Sequence, residues 1–154
     1  MRSEYDKLIN DFCQVVGLED EEYVRDGGAF EVDGVVSSLI YNEQASTELM
    51  FLYVDFGMLP PELEAAASCE LLKRNFLTFT GKGPAFTISP ITGRVVYVEH
   101  FQLDSTDAEQ LARALSRLTV EANDWRKTYF LSGPYALVFK SPQAANTLDA
   151  PVMA

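Results

Sequence analysis

Three segments decide the fold: Leu71-Leu72-Lys73-Arg74-Asn75-Phe76, then Phe86-Thr87-Ile88-Ser89-Pro90 running through Thr92-Gly93-Arg94 into Val95-Val96-Tyr97, then Glu121-Ala122-Asn123-Asp124-Trp125. They read as a helix end, a two-stranded hairpin and a second helix, and none carries a catalytic motif. Phe86-Thr87-Ile88 and Val95 to Phe101 alternate as strands do, and Pro90-Ile91-Thr92-Gly93 makes the turn between them. Pro90 lacks an N–H for the ladder and therefore belongs at a strand end. Thr106-Asp107-Ala108-Glu109 has the spacing of a capping box, with Thr106 as the cap. Behind it Ala108, Leu111, Leu115, Leu118, Ala122, Trp125 and Tyr129 recur at steps of three and four. That single apolar stripe spans only about three heptads and finds no matching partner stretch, so it suits packing on a core rather than a coiled coil.

Working toward the N-terminus, Met58-Leu59-Pro60-Pro61 opens another helix, since proline at the first helical position forfeits no bond. Glu62 and Glu64 suit its positive end, and Lys73 and Arg74 suit the negative end, placed here at Asn75-Phe76. The small run Ala65-Ala66-Ala67-Ser68-Cys69 lets another backbone approach closely, either this chain's own sheet or the same helix of a second copy. Before it, Thr47 to Phe56 is a strand with both parities apolar: Leu49, Phe51 and Tyr53 against Met50, Leu52 and Val54. A sheet with water on one face should alternate apolar and polar. A second cover is therefore expected, whether the chain's helices, a second subunit or a bound partner. Val35 to Tyr41 forms the preceding strand, and Asp33-Gly34 joins it to Ala29–Val32 as a two-residue hairpin. Ser3 to Val16 reads as the first helix, capped by Ser3 and closed by Gly17, with Tyr5, Leu8, Ile9, Phe12, Val15 and Val16 on one face. Glu19-Asp20-Glu21-Glu22 reads as a solvated turn.

Toward the C-terminus, Gly133-Pro134 breaks the helix, Tyr135 to Phe139 could add a short strand, and Ser141 to Ala154 reads as a tail. The expectation is one domain over 1–140 with a tail over 141–154. Its class is α+β, in the order α-β-β-β-α-β-β-α, with a twisted, mainly antiparallel sheet flanked by helices.

The chain has 154 residues, enough for one self-sufficient core. Hydrophobic residues make up 47% and the mean hydropathy is −0.03, a globular composition. A net charge of −11 argues against nucleic acid and against an anionic membrane surface. No apolar run is long enough to span a bilayer, and the N-terminus lacks a signal-peptide core, so a soluble intracellular protein is expected. Cys13 and Cys69 both fall among apolar neighbours and are expected to be buried thiols.

Motifs of reactive chemistry are missing. His100, the single histidine, lies between Glu99 and Phe101 in a strand pattern without companion ligands. Gly81-Lys82-Gly83 lacks the spacing of a phosphate loop and reads as a turn. No nucleophile elbow or paired-histidine zinc motif occurs. Carboxylate pairs are numerous, but nothing selects one. No catalytic residue, metal site or cofactor is expected. Surplus apolar strand surface instead points to binding, and a free strand edge could take an extended peptide.

The element order and the three opening segments resemble the type III secretion chaperones of the Tir chaperone (class I) family, over roughly residues 3–127. The resemblance implies a cofactor-free homodimer in the bacterial cytoplasm, with no membrane insertion and no nucleic-acid partner. It would hold the N-terminal segment of a secreted effector extended and release it at the secretion apparatus. The implied dimer interface is the second helix and its neighbouring strand surface, giving Leu63, Ala66, Ala67, Leu71 and Leu72 a role. If the chain does bind an effector, the surface expected to contact it is the first helix with the strand faces around Val36, Leu39, Leu49, Phe51 and Tyr53. Residues 128–154 extend beyond the family's last helix. The rival readings are a dimeric regulatory or structural module of the same fold without a secretion client, and a small hydrolase or transferase using a carboxylate pair.

Overall fold

The hydrophobic pattern along Val35–Tyr41 and Leu49–Met58 builds the centre of a five-stranded sheet. The computed structural model describes residues 1–78 and 83–132, so the turn at 81–82, the strand expected at 135–139 and the tail at 141–154 lie outside the described residues. Helix α1 spans Arg2–Val16, a short helix α2 Glu21–Arg25, and strands β1, β2 and β3 cover Phe30–Val32, Val35–Tyr41 and Leu49–Met58. A 3-10 turn at Pro61–Leu63 leads into α3, Glu64–Thr78, followed by β4 (Ala85–Ile88), β5 (Arg94–Gln102) and α4 (Ala108–Thr128). The strand order is β1-β2-β3-β5-β4 with every pair antiparallel. This is the expected α+β single domain with one additional short helix.

Asp33 and Gly34 both take positive φ, 50° and 77°, which is the backbone a two-residue hairpin needs to follow the strand twist. Register pairs Val32 with Val35 across that turn, and Leu39 with Leu52 further along. The side chains of Val35, Leu39, Met50, Leu52, Val54 and Phe56 point to one face and are fully buried. We call this the inner face. Helices α1 and α4 pack on each other over it, through Tyr5, Ile9 and Phe12 from α1 and Leu111, Leu115, Leu118 and Trp125 from α4. At one end the core is aromatic: Phe56 meets Phe86 at 5.1 Å and Trp125 at 6.1 Å, and Phe86 meets Tyr97 at 4.7 Å between ring centres.

The end of α4 is tied to the sheet by polar contacts. Strand β3 bulges between Asp55 and Gly57, and Gly57 takes φ 123°, a conformation closed to other residues without strain. The Arg126 guanidinium donates to the carbonyls of Phe56, Asp55 and Gly34 at 2.8, 2.9 and 2.8 Å. Asn123 Nδ2 donates to Asp33 O at 3.1 Å. One helical turn thus supplies the donors that the bulge and the β1–β2 hairpin would otherwise lack.

Several local expectations shift. Met1, not Ser3, is the first cap of α1, and no side chain bonds there, although Gly17 closes the helix in the left-handed conformation as expected. The acidic run is not a plain turn: Asp20 accepts from the Tyr23 N–H at 2.9 Å and starts α2. The capping box of α4 is displaced by one residue, to Asp107 and Gln110, each bonding the other's backbone. Helix α3 runs past Asn75 to Thr78, so Lys73 and Arg74 are not in its last turn. Lys73 pairs with Glu70 at 3.0 Å, and Arg74 lies 4.0 Å from Glu121 and over the Phe130 ring. Cys13 is buried as expected, whereas Cys69 is exposed.

Candidate functional site

The opposite side of the sheet, its outer face, carries the second apolar parity of β3. Phe51 pairs with Ile40 of β2 and His100 of β5, and Tyr53 pairs with Ser38 and Val98. Leu49, Phe51, Tyr53, Val96 and Val98 are half-buried, and Val36 and Ile40 are each 38% exposed. Strand pairing brings these side chains together across β2, β3 and β5. Helix α3 packs at the β4 edge, while α1 and α4 lie over the inner face, so no described helix seals the outer one. On this face a groove of about 290 Å³ is lined by Val36, Ile40, Tyr53, Asp55, Arg94 and Val96. Asp55 and Arg94 form an ion pair of 2.7 Å on its floor. The groove offers apolar contact with one fixed charge pair.

Four of the five strand residues named from sequence share this face: Val36, Leu49, Phe51 and Tyr53. Leu39 does not. It sits on the inner face, fully buried against the helices, because strand parity puts it with Leu52. The first helix is not a free apolar surface either, since Tyr5, Leu8, Ile9 and Phe12 are spent on the core. Ile40, Val96 and Val98 were not singled out from sequence, although the Val36-Ser38-Ile40 alternation carried the signal for Ile40.

A second apolar surface lies on α3. Ala65, Cys69, Leu72 and Phe76 follow steps of four, three and four and are exposed, Leu72 by 69% and Phe76 by 57%. Between this helix and β4 runs an apolar groove of about 220 Å³, bordered by Leu72, Thr87 and Ile88. Of the residues assigned to a dimer interface, Leu72 and Ala66 are exposed and Leu63 is half-buried. Ala67 and Leu71 turn into the protomer's own interior and are not available at its surface. The spacing 65-69-72-76 was present in the sequence, but only the packing of α3 on the sheet edge decides which stripe stays outside.

The strand edges differ. At the β4 edge, the Asn75 side chain accepts from the Phe86 N–H at 2.7 Å and donates to the Phe86 carbonyl at 3.0 Å. The amide imitates a neighbouring strand. At the other side, Tyr5 Oη lies 3.3 Å from Leu39 O and 3.1 Å from Arg25 O, covering β2 beyond the end of β1.

Burial pushes the Tyr5 and Tyr97 phenols up to about 12 and the Cys13 thiol up to about 11. All three lie on the core side, so these shifts describe packing and not a reactive centre. Among the described residues no group of three or more His, Cys, Asp and Glu could hold a metal ion. No described helix is long and apolar enough to cross a membrane.

Residues 7–126 match the model of the Tir chaperone protein (CesT) family. No curated protein sequence matches. The fold is similar to that of the Yersinia pestis type III secretion chaperone SycH in complex with a stable fragment of YscM2, with TM-score 0.57 and 20% identity over 78% of this chain and 98% of that one. It is similar to a chain of the HopA1-SchA chaperone-effector complex, with TM-score 0.62 and 14% identity over 82% of this chain and 95% of that one. A chain of the ExsC-ExsE complex gives TM-score 0.62 and 18% identity over 82% and 94%.

Proposed function

The chain belongs to the Tir chaperone protein (CesT) family, and we propose from that premise that it is a cytoplasmic type III secretion chaperone for an effector. It binds the N-terminal segment of the effector in extended form and promotes its export, releasing it at the secretion apparatus. The observation that carries this reading is the outer face of the sheet, apolar along Val36, Ile40, Phe51, Tyr53 and Val98 and uncovered by the described helices. Fold-mates that hold an effector or a fragment of another protein support it. Apolar side chains of the effector fill the groove, and the gain must exceed an ordering cost of about 2–5 kcal/mol for a disordered segment.

We place the homodimer contact on α3. Leu72, Phe76, Cys69 and Ala65 form a stripe whose three-four spacing suits a second copy of the same helix. The acidic surface keeps the remainder soluble.

Co-expression with the N-terminal segment of a candidate effector tests the reading. Two copies of the chain are expected to elute with one effector segment by size exclusion with light scattering. Leu72→Glu is expected to yield monomers. A wild-type chain that stays monomeric at micromolar concentration and retains no segment would overturn the proposal, and a dimer that retains none would favour a dimerisation module without a client.

A further inference from the structure

Helix α3 presents two outward flanks. One is the stripe of Ala65, Cys69, Leu72 and Phe76. The other takes the same steps one residue on, through Ala66, Glu70, Lys73 and Leu77, rotated by about 100° around the helix. Ala66 and Leu77 are exposed, yet Glu70 between them is only 6% exposed. Its Oε1 accepts from Lys73 Nζ at 3.0 Å, while Oε2 is buried without a hydrogen-bond partner among the described residues. Glutamate is seldom buried unless paired, and a buried acceptor calls for a donor. Strand β4, the main described neighbour of α3, meets it at Asn75 on the far side of the helix from this flank.

The chain leaves α4 beside the same flank. Tyr129 and Phe130 both take positive φ, 49° and 58°, which bulky residues seldom adopt, and they turn the chain out of the helix. Burial of Phe130 holds the turn: its ring centre lies 6.0 Å from that of Phe86 and 3.4 Å from the Arg74 guanidinium of α3. Arg74 stands one helical turn from Glu70. From Ser132, the last described residue, Gly133 and Pro134 bring the chain to Tyr135 within about 10 Å. Tyr135-Ala136-Leu137-Val138-Phe139 follows, an apolar run without charge. An extended run of that length spans about 13 Å, and the flank from Ala66 to Leu77 rises about 16 Å. The larger side chains, Tyr135, Leu137 and Phe139, share one parity.

We propose that Tyr135–Phe139 of the same chain docks along Ala66, Glu70, Lys73 and Leu77, with Tyr135, Leu137 and Phe139 turned toward the helix and a donor of the segment on Glu70 Oε2. Tethering favours this occupant over an effector, because a segment on a short linker competes at an effective concentration on the order of millimolar. The stripe 65-69-72-76 stays free, so a second copy of α3 and the segment occupy different flanks. For the dimer placed on α3 above, the segment is a brace. Its release loosens the helix that the second copy must meet.

Photocross-linking of the full chain with benzoylphenylalanine in place of Phe139 tests this. Mass spectrometry is expected to find the adduct on residues 63–78, in a product that runs as a single chain on a denaturing gel. An adduct at Val36, Ile40 or Tyr53 of the outer face, an adduct joining two chains, or no adduct overturns the assignment. Hydrogen exchange gives a second reading. Leu137→Asp is expected to quicken exchange over Ala66–Leu77 by about tenfold and to leave the centre of β3 unchanged, whereas Val138→Asp, of the opposite parity, changes neither. Equal effects of the two variants, or an α3 unmoved by Leu137→Asp, count against the docking. Neither reading needs an effector, so failure of an effector segment to co-elute would sink the chaperone reading and leave this one standing.

Discussion

Along β3, neighbouring residues of similar chemistry meet opposite fates. Met50, Leu52, Val54 and Phe56 are fully buried under α1 and α4, while Leu49, Phe51 and Tyr53 are half open on the other side. Composition does not separate these two sets, since both are large and apolar. What separates them is cover. The inner set is held by two helices and an aromatic cluster, so its hydrophobic gain is realised in folding. The outer set retains a good part of its gain, and a binding partner can realise it. Large exposed apolar patches in general mark interaction sites, which is the ground for the proposal made for this face.

That contrast can be broken most forcefully at a single pair of positions. Leu52→Ala should cost about 2–5 kcal/mol by leaving a cavity in the sealed layer. Phe51→Ala, one residue away, should cost about 1 kcal/mol or less in stability while weakening effector binding. Urea unfolding beside a co-elution assay reads both, and equal destabilisation would remove the distinction between the faces.

The next effect concerns the link between the helices and the strand ends. Arg126→Met keeps much of the side chain's bulk and removes the donors to three carbonyls, at an expected cost of about 1–3 kcal/mol. Hydrogen exchange should quicken at the β1–β2 hairpin before it does at the centre of β3. Asn75→Leu should cost about 1–2 kcal/mol by stranding the Phe86 N–H and carbonyl. It should also raise self-association through the opened edge, visible by light scattering; an unchanged particle size would argue against the edge guard.

The smallest effect is in the alkaline range. The Tyr5 phenol is held up to about 12 against an ordinary 10.0, chiefly by burial. Its proton is thus retained in the folded state when the unfolded chain has already lost it. The stabilisation is complete below pH 10 and is lost as pH rises from there toward 12. Tyr5→Phe should lower stability at neutral pH by about 1 kcal/mol through the lost hydrogen bond and flatten the decline above pH 10. A decline as steep as that of the wild type would assign the alkaline limb to Tyr97 and Cys13 instead.

Much of the fold was legible because its signals are local. The Asp33-Gly34 turn needs two positive φ angles, and few residue pairs supply them as readily. The α4 stripe repeats at the period of a helix, and the doubly apolar β3 announced that its second face needed an occupant. The misreadings also have local causes. Thr106 and Asp107 can both cap a helix, and the choice fell on the residue whose partner, Gln110, could bond back. Asn75 reads as a helix terminator by propensity, yet its amide is used on a strand eleven residues away in sequence. No local pattern marks such a bond.

By itself, then, the sequence determined every element but the short α2, their order, the family resemblance and the surplus of apolar strand surface, since these follow from spacing and turn chemistry within a few residues. Tertiary structure alone decided which parity of β2 and β3 lies under the helices, which stripe of α3 faces outward, and which sheet edge is closed. The physical reason is that each of these is settled by what arrives from elsewhere in the chain. Leu39 and Ile40 are neighbours of nearly equal hydrophobicity, and only the arrival of α1 and α4 on one side makes the first core and the second surface.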